Sequence, residues 1–476
     1  MSEKIITRFS PSPTGFLHIG GLRTALYAYL FAKKNNGQFL LRIEDTDQSR
    51  KVEGAVESLQ IVLKKFGLNW ENKKPMIQSQ RLAIYKKYAE QLVKEGKAYY
   101  CFCTPERLDQ LRQIQTAKKL PPMYDGKCCD LDPEIAKKQI ASGLAYVIRF
   151  KMPKTGVTEF TDLIRGKVSF ANNTLDDQII LKSDGFPTYH LASIVDDHEM
   201  NISHVIRGEE WLPSTPKHIL LYQAFGWQAP EFAHLPLLLN SDHSKLSKRQ
   251  GDVAVEDYLK KGYLPEALLN FVLLLGWNPG TEQEIFNFAE MIKAFSLEKV
   301  NKSGAVFNVQ KLDWLNGHYI REKSAAELAK LCQPYFTAAG IETDSKTLEK
   351  IVITEKDRIK KLEDIVPNTQ FFFTQPKYET ELLLWKKLSQ KEIADNLKAL
   401  KEKLSDLADK KWQSIDLEKE IKELISQKGV GTGDMLWPMR VALSGLKNSP
   451  GPFEIAEALG KKESLNRIET AINFLS

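Results

Sequence analysis

Two apolar runs near the N-terminus differ in their spacing. Residues 5–9 form a short run with β-branched side chains, which favours a strand. A break rich in Pro, Ser and Gly follows, and beyond it apolar positions recur at helical spacing: Leu22, Ala25, Leu26, Tyr29 and Leu30. The pattern therefore predicts a strand, a tight loop and a helix.

The next apolar run, residues 39–43, predicts a second strand. It follows Gly37, which ends the first helix, and it completes a strand–helix–strand unit with an expected right-handed crossover. Residues 52–66 and 82–93 then have the apolar stripe of amphipathic helices. We expect the N-terminal region to be a doubly wound, Rossmann-type α/β sheet.

A segment of different texture interrupts this alternation at residues 101–130. It contains four of the five cysteines and is broken by prolines, and strands are predicted beyond it at 145–150 and 179–182. We interpret this part of the chain as an inserted α+β module. Residues 183–211 return to short apolar strands that end in polar clusters, which indicates re-entry into the first sheet.

The remainder of the chain is predicted to be helical. Residues 215–225 form a helix closed by Gly226, and strand signals nearly vanish after residue 263. Helices are predicted there at 265–275, 325–332, 348–362, 386–404, 416–428 and 433–443. An all-α C-terminal region therefore follows the α/β region.

Length and composition fit a protein of several domains. The chain has 476 residues, of which 42% are hydrophobic, so two to four domains are expected. The most apolar stretch, 268–277, is much shorter than the roughly 20 residues that span a bilayer, and we expect no membrane partner. The net charge of +6 permits a nucleic-acid partner without requiring one. Clustered cysteines do not resemble a secreted disulfide framework and favour the cytoplasm.

The loop before the first helix has the features of a phosphate site. Gly20 and Gly21 let the backbone at the helix N-terminus approach an anion, whose charge the unpaired N–H groups favour. His18, two residues earlier, can donate a hydrogen bond to a phosphate oxygen. A second candidate anion site is the loop segment Lys245-Leu246-Ser247-Lys248-Arg249, which places three cations within five residues.

These two segments resemble the paired signatures of class I aminoacyl-tRNA synthetases. His18-Ile19-Gly20-Gly21 is similar to HIGH, with Gly at the fourth position, and KLSKR is similar to KMSKS. The longer run RFSPSPTGFLHIGGLRTAL resembles the bacterial-type glutamyl-tRNA synthetases, and the resemblance extends to the helical tail. It implies an enzyme that activates L-glutamate with ATP and Mg²⁺ and transfers it to tRNA(Glu).

The resemblance also implies site residues. His18, Lys248 and Lys245 take catalytic roles at the α-phosphate and the pyrophosphate leaving group. The residues expected to bind ATP are Thr14, Gly15, His18, Gly20, Gly21 and Lys248. The residues expected to bind glutamate are Arg8, Ser12, Glu44, Tyr189 and Arg207, with Glu44 facing the α-ammonium group.

Two of these residues also follow from strand positions. Arg8 lies at the end of the first predicted strand, and Arg207 lies near the end of a later one, so both can reach the crevice at the carboxyl edge of the sheet. A guanidinium fork binds a carboxylate through two hydrogen bonds, and a neutral amide leaves part of that fork unpaired. Glutamate is therefore favoured over glutamine.

The cysteine cluster leaves two interpretations open. Cys101, Cys103 and Cys128 match the zinc spacing of some members of the family, in which a His follows two residues after the third Cys. Here that position is Asp130, which is chemically able to complete the site, and Cys129 is a rival fourth ligand. The alternative is a module with reduced thiols and no metal.

The family resemblance also suggests a domain layout and an RNA contact. Arg358 aligns with an arginine that reads the third anticodon base, whereas Trp437 and Arg440 either contact the anticodon loop or pack internally. We expect a monomer. The predicted segments are a Rossmann first half (1–87), an acceptor-stem-binding insert (88–187), a Rossmann second half (188–237), a stem-contact region carrying KLSKR (238–324) and a helical anticodon-binding region (325–476, split near 380).

Two alternatives stay open at the sequence level. The enzyme could also charge tRNA(Gln), or the chain could be a non-catalytic tRNA-binding paralogue. A glutaminyl enzyme is disfavoured because that group carries a β-barrel tail, and the tail here is predicted to be helical. Without the resemblance, the residues indicate only an α/β nucleotide-binding enzyme with a helical appendage.

Overall fold

The chain folds into two compact units. The computed structural model describes residues 4–246 and 254–475. The first unit combines Met1–Tyr258 with Leu268–Val309, and the second combines Leu259–Ala267 with Gln310–Ser476. Among the described residues, no helix has both the length and the apolar character needed to cross a bilayer.

Twelve strands are present in the described part of the chain. In order they are β1 Ile6–Phe9, β2 Gln38–Ile43, β3 Met76–Ile77, β4 Ala98–Cys101, β5 Val147–Phe150, β6 Val157–Asp162, β7 Gly166–Ala171, β8 Ile179–Leu181, β9 His204–Gly208, β10 Glu231–Leu235, β11 Leu238–Leu239 and β12 Ala305–Val306.

Nineteen α-helices are described. In order they are α1 Ile19–Lys34, α2 Ala55–Lys65, α3 Leu82–Lys94, α4 Pro105–Ala117, α5 Pro133–Ala141, α6 Tyr189–Glu199, α7 Thr215–Phe225, α8 Val255–Lys260, α9 Pro265–Leu274, α10 Phe288–Ala294, α11 Val309–Glu322, α12 Ala325–Ala338, α13 Ser345–Glu355, α14 Ile365–Thr369, α15 Gln390–Ser405, α16 Ser414–Lys428, α17 Thr432–Ser444, α18 Pro452–Leu459 and α19 Lys461–Leu475.

Parallel strands form the centre of the first unit. β1 pairs with β2 and β2 with β3, while β9 pairs with β10 and β10 with β6, all in parallel. Ser203 joins the two groups: its N–H donates to the Ile6 carbonyl, and its hydroxyl accepts from the Ile6 N–H. The carboxyl ends of β1 and β9 therefore lie at the same edge, where open α/β sheets bind their ligands.

Helix α1 is almost wholly buried within the first unit. Its side chains Leu22, Leu26 and Leu30 have no exposed surface, and it connects the parallel strands β1 and β2 as the predicted crossover. Burial of this helix on several sides explains its nearly continuous apolar sequence. Its first turn is thereby fixed against the sheet edge.

The insert has its own antiparallel sheet and also contributes to the parallel one. β4, β5 and β8 form a three-stranded antiparallel sheet, next to helices α4 and α5. The hairpin of β6 and β7 instead extends the main sheet, because β6 pairs with β10. The predicted insert at 88–187 is thus shared between two sheets.

The second unit is helical. Ser324 and Ser389 cap α12 and α15 through reciprocal bonds with a Glu three residues later, the S-x-x-E pattern that marks a helix start. Helices α15 to α19 enclose one apolar core that includes Leu397, Ile421 and Met439. An apolar stripe on each helix accounts for this packing.

Most predicted elements are confirmed, with ends shifted by a few residues. The α/β region followed by an all-helical region is observed, and α7 has the predicted bounds. The prediction of strands throughout 183–211 is wrong in part, since Tyr189–Glu199 is the helix α6. The β-branched residues there suggested strands, but Leu191, Ile194 and Val195 recur at helical spacing and are buried together. The β6–β7 hairpin was not predicted.

Candidate active site

His18 caps the helix that follows the first loop. The Gly20 N–H donates to His18 Nδ1 at 2.9 Å, so the ring accepts at Nδ1 and its proton lies on Nε2. This tautomer is the one that can donate from Nε2 to an anion. A Cβ on Gly21 would lie 2.9 Å from Leu17 Cδ1, so any larger residue there would require the Leu17 side chain to shift.

Two adjoining cavities open at the carboxyl edge of the sheet. One, of about 290 Å³, is lined by Thr14, Gly15 and His18. The other, of about 260 Å³, is lined by all five residues predicted to bind glutamate, Arg8, Ser12, Glu44, Tyr189 and Arg207, and by Gly20. Phe9, Ser12 and Gly21 line both cavities, so the two predicted sites adjoin each other.

The predicted lysines are only partly accounted for. Lys245 is described, exposed and paired through its backbone with Leu239 in an isolated bridge. Lys248 lies outside the described residues. The structure therefore brings together the residues of the first loop and the glutamate set, whereas only Lys245 and Leu246 of the basic segment are among the described residues.

A buried ion network supports one side of the cavity. Asp197 accepts from Arg8 Nε at 3.0 Å and from Arg42 Nη1 at 2.6 Å, and Glu44 Oε1 accepts from Arg42 Nη2 at 2.8 Å. Burial alone would raise the pKa of Asp197, but the two guanidiniums outweigh it and lower that pKa. The network holds Arg8 and Glu44 in fixed orientations at the cavity wall.

Arg207 is held by five contacts from the protein. Its Nε donates to His234 Nε2 at 3.1 Å and its Nη2 to Thr215 Oγ1 at 2.9 Å and the Trp211 carbonyl at 3.3 Å. Its Nη1 donates to Tyr189 Oη at 2.9 Å and lies 3.4 Å from His218 Nδ1. Every N–H direction of the fork thus has a protein partner, which the prediction of a simple fork did not anticipate. A carboxylate that bound to this fork would have to share or displace one of these partners.

The histidines around Arg207 are neutral. Burial lowers the pKa of His218 well below its usual value, and the Arg207 charge lowers it further. Burial also lowers the pKa of His190 to about 4, and its Nδ1 lies 3.1 Å from His218 Nε2. Because these rings carry no charge, the positive charge at this place belongs to Arg207.

Several supporting residues were missed from the sequence. They are Arg42, Asp162, Asp197, Thr215 and His234. One signal was available: Asp196 and Asp197 follow the apolar run Ala192–Val195 directly, and buried acids require cations, which Arg8 and Arg42 on the strands supply. Asp162 and His234 depend on strand register and Thr215 on the packing of α7, and none of these three carries a local signal.

Three cysteines of the insert converge. The sulfur atoms of Cys101, Cys103 and Cys128 all lie within 4.8 Å of one another, and Tyr124 Oη lies 3.4 Å from the Cys101 and Cys103 sulfurs. Asp130, predicted as the fourth ligand, is outside this group: its exposed carboxylate contacts Cys129 Sγ and Lys151 Nζ. The geometry does not support Asp130 as a ligand.

The candidate anticodon residues lie in the helical unit. Arg358 is exposed, and its Nε donates to the buried carboxylate of Glu355 at 3.1 Å. Trp437 stacks on Trp385 and donates from Nε1 to the Leu382 carbonyl, while the Arg440 guanidinium lies 4.7 Å from the Trp437 ring centre. Trp437 therefore packs internally, the second of the two predicted alternatives.

Comparisons with known proteins agree with this arrangement. Residues 4–314 match the family described as tRNA synthetases class I (E and Q), catalytic domain, and residues 327–472 match an anticodon binding domain. The chain is 46% identical to a glutamate–tRNA ligase of Alkaliphilus metalliredigens, over 98% of each chain. It is 48% identical to that of Chloroherpeton thalassium, over 100% of this chain and 99% of the relative.

A solved structure has the same fold over its whole length. The crystal structure of a glutamate tRNA ligase from Elizabethkingia meningosepticum, in complex with its amino acid, superposes with a TM-score of 0.90 at 40% identity and covers both chains fully. The two-unit architecture, the cavity with its two arginines and these similarities lead to one conclusion. The chain belongs to the glutamate–tRNA ligases, a family of class I aminoacyl-tRNA synthetases.

Proposed function

We propose that this protein attaches L-glutamate to tRNA(Glu) in two steps. In the first, an α-carboxylate oxygen of glutamate attacks the α-phosphorus of ATP, the bond to the β-phosphate bridging oxygen breaks, and pyrophosphate leaves. In the second, a hydroxyl of the terminal ribose of the tRNA attacks the carbonyl carbon, and AMP leaves. The observation that carries the proposal is the placement of the His18 loop beside Arg8, Glu44 and Arg207, in two cavities that share Phe9, Ser12 and Gly21.

Each polar group of the cavity has a role in the first step. Arg8 and Arg207 provide positive charge for the carboxylates of glutamate, and Glu44 accepts the α-ammonium group. Burial raises the pKa of Glu44, which Arg42 offsets in part. An arriving ammonium group would favour the ionised carboxylate of Glu44 in the same way. Mg²⁺ would neutralise charge on the phosphates.

His18 and the N-terminus of α1 act on the nucleotide. The Nε2 proton of His18 and the first N–H groups of the helix favour a phosphate at this position. Little covalent chemistry is required of the protein, because positioning and charge stabilisation dominate phosphoryl and nucleotidyl transfer. Lys248 and Lys245 would add charge at the leaving pyrophosphate.

Pyrophosphate exchange tests this function. We expect glutamate-dependent exchange of labelled pyrophosphate into ATP, measured with and without tRNA. Arg207→Gln should lower kcat/KM for glutamate by at least roughly a hundredfold, because it removes a buried charge partner. Lys86→Gln, which removes an exposed cation on α3, serves as the control. Absence of exchange with every amino acid in the presence of tRNA would overturn the proposal.

We further propose that the insert holds a structural zinc ion. Thiolates of Cys101, Cys103 and Cys128 supply three ligands, and Tyr124 Oη is placed to be the fourth. The Arg149 guanidinium packs on the Tyr124 ring, 4.0 Å from its centre. Burial and the neighbouring cysteines raise the pKa of the Tyr124 hydroxyl, so zinc would have to displace its proton on binding. Bound zinc would fix the two ends of the module to each other.

Metal analysis of the purified protein tests the zinc site. We expect about one zinc per chain, lost in Cys103→Ser, retained in Cys129→Ser and more easily removed by chelator in Tyr124→Phe. A metal-free protein with unchanged stability would refute the site.

We also propose that the enzyme is a monomer in the cytoplasm. Light scattering checks the monomer, for which we expect a mass of 54.2 kDa.

A further inference from the structure

We propose that Asp162 and His234 are positioning residues for amino-acid selection: together they fix the proton of His234 so that its Nε2 accepts the Nε–H of Arg207. The inference rests on the proposed function in so far as Arg207 binds the substrate carboxylate. It concerns residues outside the cavity wall, since neither Asp162 nor His234 lines it.

Strand register brings the three residues together. In the parallel pair of β9 and β10, His234 lies directly opposite Arg207. Phe232, two residues before His234 on the same face, lies opposite Asp162 of β6. The order Asp162, His234, Arg207 therefore crosses three adjacent strands, from the inserted hairpin to the substrate site. All three side chains are at most 5% exposed.

Hydrogen bonding determines the tautomer. Asp162 Oδ1 accepts the N–H groups of Ile164 at 3.0 Å and Arg165 at 2.8 Å, and its Oδ2 lies 2.6 Å from His234 Nδ1. A carboxylate can only accept, so the proton of the neutral ring lies on Nδ1. Nε2 is then an acceptor, 3.1 Å from Arg207 Nε.

The other tautomer would disturb Arg207. Arginine has no acceptor atoms, so a proton on His234 Nε2 would face the Nε–H of Arg207 with no bond between them. Thr215 Oγ1 also lies 3.1 Å from His234 Nε2, and it accepts from Arg207 Nη2. In the other tautomer, the Thr215 hydroxyl would have to reorient too. Asp162 thus orients the substrate-binding arginine through one proton.

Asp162→Asn should move the proton of the His234 ring from Nδ1 to Nε2, with little change in the shape of residue 162. The two backbone N–H groups hold the Oδ1 position, so the amide oxygen of Asn stays there and its NH₂ group faces His234 Nδ1. The ring must then accept at Nδ1 and carry its proton on Nε2. We expect KM for glutamate to rise roughly tenfold to a hundredfold, with a smaller change in kcat and none in KM for ATP.

His234→Gln supplies the matched rescue. The glutamine amide can rotate to place its oxygen toward Arg207 whichever group occupies position 162, so the proton of a ring no longer matters. We expect near-normal KM for glutamate in His234→Gln and little further change when Asp162→Asn is added. His234→Leu removes the acceptor and should raise KM as Asp162→Asn does. Asp184→Asn, in a surface turn, is the control.

The imidazole proton can be observed directly. Two-bond ¹H–¹⁵N correlations of histidine-labelled protein, assigned with His234→Gln, should show the Nδ1-protonated ring in the wild type and the Nε2-protonated ring in Asp162→Asn. An Nε2-protonated ring in the wild type overturns the proposal. An unchanged KM for glutamate in Asp162→Asn, or a KM that rises equally for ATP, also overturns it.

These readouts separate the inference from the proposed function. If wild-type protein shows no glutamate-dependent exchange, the proposed function fails, while the tautomer measurement still tests the proton arrangement. If wild-type exchange is normal and KM for glutamate is the same in Asp162→Asn, His234→Leu and His234→Gln as in the wild type, only the positioning role fails. A loss of activity in Asp162→Asn that follows a loss of thermal stability would assign the pair a purely structural role and reject the proposal.

Discussion

Single protons on histidines determine which groups the ligand cleft can offer. His18 accepts at Nδ1 from the Gly20 N–H and so carries its proton on Nε2, whereas the Asp162 carboxylate places the proton of His234 on Nδ1. His18 therefore serves as a donor toward the proposed phosphate position, and His234 serves as an acceptor toward Arg207. Neighbouring hydrogen bonds decide the difference, as is usual for imidazole.

The two roles of His18 can be separated by substitution. His18→Asn keeps an oxygen that can cap Gly20 but loses the distant donor, so we expect normal stability and a fall of roughly 10²–10³ in kcat for adenylate formation. His18→Ala loses both and should also destabilise α1 by about 1 kcal/mol. Pyrophosphate exchange and thermal unfolding measure the two effects. Equal activity of His18→Asn and wild type would remove the donor role.

His190 should make the stability depend on pH. Its pKa falls from 6.5 to about 4 on folding, so between these pH values the unfolded chain binds more protons than the folded one. Acid therefore favours unfolding in this window, by at most about 1.4 kcal/mol per pH unit for one proton, and the stability is fully present above pH 6.5.

Removal of the titratable imidazole should flatten this response. In His190→Phe, we expect the thermal midpoint of the first unit to fall less between pH 6.5 and 4.5 than in the wild type, as followed by calorimetry. His243→Phe, on an exposed turn, is the control. Identical pH profiles for His190→Phe and wild type would contradict the expectation.

At the level of elements, a short segment from the middle of the chain is built into the helical unit. Leu259–Ala267 belongs to the second unit, where the Leu362 N–H donates to the Gly262 carbonyl at 3.2 Å. Asn316 Nδ2 donates to the same carbonyl at 3.3 Å. Gly262 has φ of +87°, which side-chain-bearing residues rarely adopt.

Gly262→Ala should destabilise the second unit. An added Cβ would lie 2.5 Å from Leu362 N, so backbone strain and a backbone clash combine, and we expect a loss of roughly 2–4 kcal/mol. Gly340→Ala has a similar φ of +71° and meets nothing within 4 Å, so about 1 kcal/mol is expected there. Calorimetric unfolding compares the two. Similar losses for both variants would exclude the steric part.

On the scale of the whole molecule, the chemistry and the expected reading of RNA belong to different units. The cleft with Arg207 is in the first unit, whereas Arg358 lies in the second and is paired with Glu355. Bases of a single-stranded loop are read through hydrogen bonds to their edges and by stacking. A substitution at Arg358 is therefore expected to change tRNA choice without changing adenylate chemistry.

Charging of two tRNAs tests this separation. We expect Arg358→Gln to change the ratio of kcat/KM for tRNA(Glu) and tRNA(Gln) by roughly tenfold, because one base contact contributes about 1–3 kcal/mol. KM for ATP and for glutamate should stay unchanged. Lys346→Gln removes an exposed cation at the start of α13 and is the control. A uniform effect on both tRNAs would indicate a backbone contact only.

Local sequence was sufficient for much of this protein. The apolar spacing predicted α1 and β2 because each element buries one continuous stripe or run, and Pro216 and Gly226 marked the two ends of α7. The family resemblance that begins at the His18 motif named the residues that line the cleft. Arg8 and Arg207 also followed from their strand positions, because strand ends meet at one edge of a parallel sheet. Chemistry carried by a single contiguous segment can be predicted from that segment.

Tertiary structure alone decided which groups support that cleft. Asp162 precedes His234 by 72 residues in the chain, and only the pairing of β6 with β10 places the two side by side. The fold likewise decided that Tyr124, and not the predicted Asp130, lies next to the sulfur atoms of Cys101 and Cys103. Sequence spacing fixes residue types, but a shift of one position in strand register sends a side chain to the opposite face, so contacts between distant strands are set by the fold.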